Sequence, residues 1–194
     1  TVGAAGGGAL VAEHDLDATV EVGELPQATR QGVVIELNAD AEDLSDGIAQ
    51  SAIMAGDVQS DLARSLSSKG LRQATRMAQW LDRKLADNAR ILCSPAVRCE
   101  QTVVSLGRKY KICPELSPSG SVDDLLALTH WPDSKYPVVV VGHQPTLGQV
   151  VNRLLGLDGV DISLRKGSLW WLRSRLRDGQ RQALVVTVQS PDFL

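Results

Sequence analysis

Val138-Val139-Val140-Val141 runs directly into Gly142-His143-Gln144-Pro145-Thr146. Four consecutive β-branched apolar residues have no polar face to offer water, so the segment reads as a buried strand covered on both sides. Residues 142–146 then read as a turn that opens a helix. Gly142 is expected to let the backbone turn sharply, Pro145 to suit the first helical turn, and the free amides of the helix start to seat an anion. His143 then stands beside that anion. The plainer reading of the same residue is a core or capping histidine after a strand.

At 194 residues with 43% hydrophobic content, the chain is long enough to bury one sizeable core and too short for two complete domains. The formal charge of -3 comes from Lys and Arg scattered among acids, which gives no footprint for nucleic acid. No apolar run approaches the roughly 20 residues that span a bilayer, and the start lacks a basic-then-apolar signal pattern. The expectation is a cytoplasmic protein with no membrane partner. Cys93, Cys99 and Cys113 are odd in number and show no paired spacing, so they read as reduced thiols rather than disulfides or a zinc site. Cys93 reads as core packing; Cys99, beside Arg98, reads as packing or as a thiol of lowered pKa. His14, His130 and His143 are too far apart in sequence to suggest a local metal motif.

Residues 1–31 are rich in Gly and acids and read as a leader of uncertain structure, with the domain occupying residues 32–194. Val33-Val34-Ile35 before Leu37-Asn38 reads as the first core strand, and residues 46–68 as a long polar loop or short helices of the kind that form lids. Leu71, Ala74, Met77, Ala78, Leu81 and Leu85 fall on one face of a helix over residues 70–85. Arg90 to Cys93 is a short strand closed by Ser94-Pro95, and helical periodicity returns over residues 96–108. A small strand over residues 111–113, a helix over residues 121–128, the valine strand, and a helix over residues 146–155 come next in order. The end of the chain is β-rich, with residues 169–175 and 183–188 joined through Arg177-Asp178-Gly179-Gln180, a hairpin turn pattern. The adjacent Trp170 and Trp171 are expected to place at least one ring in the core. The alternation predicts an α/β fold: a three-layer sandwich, its sheet mixed but mostly parallel, with helices on both faces.

Ser94-Pro95-Ala96-Val97-Arg98-Cys99-Glu100-Gln101-Thr102 again sets polar groups where a strand ends and a helix begins, and in parallel sheets such ends gather in one crevice. The Arg98 guanidinium is suited to hold two oxygens of a phosphoryl group, and its other reading is a solvated helix residue. Ser94 and Thr102 are candidates to add hydrogen bonds, or are simply a turn residue and a helix hydroxyl. Together with residues 66–74, Gly142-His143-Gln144-Pro145, Pro114-Glu115-Leu116 and residues 166–171, this pattern resembles the histidine phosphatase superfamily, and within it the SixA-type phosphohistidine phosphatases. The resemblance covers roughly residues 32–190. It implies a compact α/β sandwich, phosphoryl transfer through a phosphorylated histidine, and neither a metal nor an organic cofactor. It implies Arg98 and His143 as catalytic residues and Ser94, Thr102, Gly142 and Asn38 as substrate-binding. The implied partner is a phosphorylated protein or a small phosphorylated molecule; Glu115 is the nearest candidate proton donor by sequence order, and its plainer reading is a solvated loop acid.

Such enzymes carry Arg-His-Gly directly after the first strand, where this chain reads Leu37-Asn38-Ala39. An amide nitrogen shares its lone pair with the carbonyl and cannot replace imidazole as a nucleophile, and Leu37 removes a guanidinium. Two readings are open: a phosphohistidine phosphatase-like protein with impaired catalysis, or a non-catalytic phosphoryl- or phosphoprotein-binding module. A third has His14 serving as a substitute nucleophile, which the flanking Glu13 and Asp15 oppose by repelling phosphate.

Overall fold

Strand β4, Val138–Gly142, is buried along its whole length because it lies inside a six-stranded sheet of order β3-β2-β4-β1-β5-β6. The computed structural model describes residues 33–37 as backbone only, and residues 61–194 apart from Asp158 and Asp161. In chain order its elements are β1 Val33–Leu37, α1 Ser68–Asp82, β2 Arg90–Cys93, α2 Val97–Val104, β3 Lys111–Ile112, a 3-10 turn at Pro114–Leu116, α3 Val122–Thr129, β4, α4 Thr146–Leu155, β5 Leu169–Arg177 and β6 Gln180–Gln189. A second 3-10 turn at Pro191–Phe193 closes the chain. The expectations for residues 1–31 and for residues 38–60, Asn38 and His14 included, lie outside the described residues.

Strand side chains alternate in direction, so the valines of β4 divide between two cores. Val139 and Val141 join Met77, Leu81, Cys99 and Val103 from α1 and α2, while Val138 and Val140 join Leu125, Leu147 and Val150 from α3 and α4. Each valine so buried contributes about 1.5–3 kcal/mol relative to exposure. Helices therefore cover both faces, giving the three layers expected. The tryptophans obey the same rule: Trp171 enters the first core and Trp170 packs against the second.

Strands β3, β2, β4 and β1 are parallel, while β5 pairs antiparallel to β1 and β6 antiparallel to β5. The helices between β1, β2 and β3 cover one face and the helix on the way back to β4 covers the other, as right-handed crossovers between parallel strands require; α4, which leads to the antiparallel β5, joins that second face. The consequence is a switch point. Neighbours β2 and β4 send α2 and α4 to opposite faces, and in sheets of this kind the ligand crevice lies beyond the carboxyl ends of such a pair.

Local chemistry sets the boundaries. Ser67 caps α1 by accepting from the Gly70 amide at 3.0 Å, and Ser121 forms a reciprocal capping box with Asp124 at α3. Helix α2 stops at Val104, short of the expected residue 108, because Gly107 takes a positive φ of 68° and Arg108 turns away to donate to the carbonyls of Leu85 and Ala86 beyond α1. At the β5–β6 hairpin Asp178 and Gly179 both have positive φ, 51° and 75°, the pair of angles that a two-residue I′ turn needs.

Candidate functional site

The crevice brings Ser94, Arg98 and His143 together. Ser94 follows β2 and continues its pairing, its amide donating to the Val141 carbonyl at 3.0 Å. Arg98 lies in the first turn of α2, and His143 directly follows β4. All three are buried, at 0%, 5% and 6% exposure, so a cation, an imidazole and a hydroxyl sit out of water within contact of one another. Nη2 of Arg98 is 3.1 Å from Nδ1 of His143, and Nε2 of His143 is 2.6 Å from Oγ of Ser94. Cys99, fully buried, holds its Sγ 3.5 Å from the same Nε2.

The directions of these bonds are set by the donors. A guanidinium can only donate, so Nδ1 accepts and the neutral ring carries its proton on Nε2, from which it donates to Ser94. Ser94 Oγ also accepts from the Ala96 amide at 3.3 Å. With both lone pairs filled, the Ser94 hydroxyl hydrogen is the one still to be given. Burial lowers the His143 pKa and the charge of Arg98 lowers it further, to about 4, with Asp61 partly opposing and Arg64 adding to the effect. The ring is neutral at pH 7. This arrangement inverts the serine hydrolase triad, in which a carboxylate accepts from Nδ1 and leaves Nε2 free to take a proton.

A second group of residues, not singled out in the sequence, lies beside Arg98. Asp61 sits in a helical turn at residues 61–63, and its Oδ2 accepts from Arg98 Nη2 at 2.8 Å while its main-chain carbonyl accepts from Nη1 at 2.5 Å. Its Oδ1 pairs with Arg64 Nη2 at 2.5 Å. Burial works to raise the Asp61 pKa, but the hydrogen bond and charge of Arg98, with those of Arg64, outweigh it and hold the carboxyl below its ordinary value. Gln101, the glutamine of the Ser94 motif, fastens this segment by accepting from the Leu66 amide at 2.7 Å. The only sequence signal for Asp61 and Arg64 was the polar stretch read as a lid.

Two expectations are corrected. Gly142 ends β4 without a positive φ, and a Cβ there would meet Leu147 at 3.5 Å, an ordinary contact, so the turn does not depend on glycine's freedom. Pro145 precedes α4 by one residue, and two amides of the helix start that were expected to be free already have partners within the chain. The Leu147 amide donates to the His143 carbonyl at 3.0 Å, the Gly148 amide donates to Gln144 Oε1 at 3.3 Å, and the Ile162 carbonyl closes over Gly148. Thr102 fits the second of its two readings, a helix hydroxyl, which donates to the Arg98 carbonyl at 2.8 Å.

Glu115 is exposed on the 3-10 turn. The other described imidazole, His130, ends α3 in a left-handed conformation. Arg90, at the start of β2, reaches the Leu128 carbonyl at 3.2 Å, which places the end of α3 near the amino end of that strand, away from the carboxyl end that leads to Ser94. Asn38 lies outside the described residues, but Leu37 pairs in register with Gly142, so β1 ends beside the crevice. Among the described residues no three His, Cys, Asp or Glu side chains are grouped to hold a metal, and no helix is long and apolar enough to cross a membrane.

A family model described as the histidine phosphatase superfamily, branch 1, matches residues 51–119. The chain is 33% identical over 108 residues to the phosphohistidine phosphatase SixA of Escherichia coli, an alignment covering 50% of this chain and 66% of that protein. It is 34% identical over 148 residues to a phosphohistidine phosphatase SixA homolog of Haemophilus influenzae, covering 68% of this chain and 87% of the relative. Among solved structures, the protein histidine phosphatase SixA complexed with tungstate matches with a TM-score of 0.60 at 26% identity, over 84% of this chain and 98% of that one. The chain belongs to the histidine phosphatase superfamily, as one of its SixA-type members.

Proposed function

We propose that the crevice holds the phosphoryl group of a phosphorylated protein, and that this chain retains the group rather than hydrolysing it. Phosphohistidine is the modification that kinship with SixA suggests. One observation carries the reading: the buried relay from Arg98 through His143 to Ser94. It sets a fixed cation and a hydroxyl hydrogen side by side out of water, where charge-assisted bonds to oxyanion oxygens are strongest. A SixA relative complexed with tungstate, a tetrahedral oxyanion, supports the same chemistry.

Retention without turnover rests on the nitrogens. Both ring nitrogens of His143 are engaged, so neither is free to attack phosphorus, and His130 follows a helix whose end lies by the start of β2, not its carboxyl end. The residue after β1, Asn38, has no nucleophilic nitrogen. The test compares the parent with a Leu37→Arg, Asn38→His double variant in calorimetry with inorganic phosphate and in hydrolysis of a phosphohistidine protein and an aryl phosphate. The expected result is phosphate binding by both chains and turnover by the variant alone. Rapid turnover by the parent would restore the active-phosphatase reading, and absence of phosphate binding by the parent would remove the phosphoryl one.

A further inference from the structure

The guanidinium assigned to phosphoryl oxygens already has an anion on it. The two carboxylate oxygens of Asp61 bridge two arginines, Oδ2 on Arg98 and Oδ1 on Arg64, as an oxyanion does between paired guanidinium groups. The side chain of Asp61 is 33% exposed while that of Arg98 is 7% exposed, so the carboxylate reaches inward from the rim to a buried cation. Arg64 Nε is buried without a hydrogen-bond partner among the described residues, which leaves a donor of the second guanidinium unused beside this pair. The segment is anchored downstream of Asp61, by the bond from Leu66 to Gln101 and by the Ser67 cap of α1. Asp61 itself is tied down through Arg98 and Arg64.

We propose that Asp61 is a built-in competitor for the phosphoryl seat: its carboxylate occupies Arg98 in the unliganded chain and must yield that guanidinium, keeping Arg64, when a phosphoryl dianion enters. The inference rests on the reading of Arg98 as the phosphoryl seat and adds a specificity device to it. A monoanion of weak basicity gains too little at Arg98 to displace a tethered carboxylate, whereas a dianion supplies more charge to the same donor. The opposite role, in which Asp61 holds Arg98 in a productive pose, predicts the reverse effect of removing its charge.

The experiment measures inorganic phosphate binding by calorimetry to the parent, Asp61→Asn, Asp61→Ser and Arg98→Ala, each checked by thermal melting. Both Asp61 variants are expected to bind phosphate about tenfold more tightly than the parent, since a charge-assisted contact no longer has to be given up. Arg98→Ala is expected to lose binding. Equal or weaker binding by the folded Asp61 variants, with Arg98→Ala still losing it, overturns the competitor while the phosphoryl seat stands. No binding by any chain removes the seat, and the competitor with it. Should the Asp61 variants not fold, the intact chain with 13C-labelled aspartate decides. The Asp61 carboxyl resonance moves on saturation with phosphate if the contact is exchanged, and an unmoved resonance overturns the proposal.

Discussion

Replacing His143 by Gln should flatten the acid side of the stability profile. In the native chain the ring is neutral down to about pH 4, while in the unfolded chain it titrates at its ordinary value of 6.5. A depressed native pKa means that the unfolded state binds the proton first, so this stabilisation is complete above 6.5 and is lost as pH falls toward 4. Across that window each pH unit costs about 1.4 kcal/mol, so the step from about pH 7 to about pH 5 removes roughly 2 kcal/mol. Carboxylates contribute little over this step, and the Asp61 contribution, whose native pKa is also depressed, is lost only below its ordinary 3.8. Glutamine keeps an acceptor for Arg98 and a donor for Ser94 without titrating. Urea unfolding monitored by tryptophan fluorescence at the two pH values, on the parent and the variant, reads the difference directly. The parent should lose about 2 kcal/mol more than His143→Gln on going to about pH 5. Equal losses would show that the imidazole is not held neutral by burial and Arg98, and the proton assignment in the crevice would fall with it.

Arg98→Ala removes a charge that depresses His143, so an NMR titration of the ring proton should find its pKa raised from about 4; an unchanged value would contradict the contact with Nδ1. Ser94→Ala takes the oxygen acceptor from the buried His143 Nε2–H, with the weakly accepting Cys99 sulfur 3.5 Å away, and should cost about 1–3 kcal/mol in denaturant unfolding. Leu81→Ala empties a fully buried position in the first core and should cost about 2–5 kcal/mol by the same assay. Trp171→Phe should cost less than that, because the buried indole nitrogen has no hydrogen-bond partner among the described residues to lose.

Much of the fold was legible because strand and helix periods write themselves into apolar spacing. The edges of β2 and α4 fall where the sequence placed them, and the Asp178-Gly179 turn was readable because its backbone angles favour those residue types. The end of α2 was not, because periodicity continued past Gly107 while Arg108 found carbonyls beyond α1 that are distant in sequence. At the site, Ser94, Arg98 and His143 announced themselves by standing at strand-to-helix junctions. Asp61 and Arg64 stand at no such junction, and nothing local marks a carboxylate as the partner of a guanidinium 37 residues away.

By itself the sequence determined the elements, their order and the family to which the chain belongs, since these depend on local spacing and on motifs carried within single segments. Tertiary structure alone decided which nitrogen of His143 holds the proton, that the Gly148 amide of α4 is taken by Gln144, and that Arg98 rests on Asp61. Those outcomes depend on distances of a few ångströms between groups that different elements deliver to one crevice, and burial there turns each such distance into a choice of charge and hydrogen-bond direction.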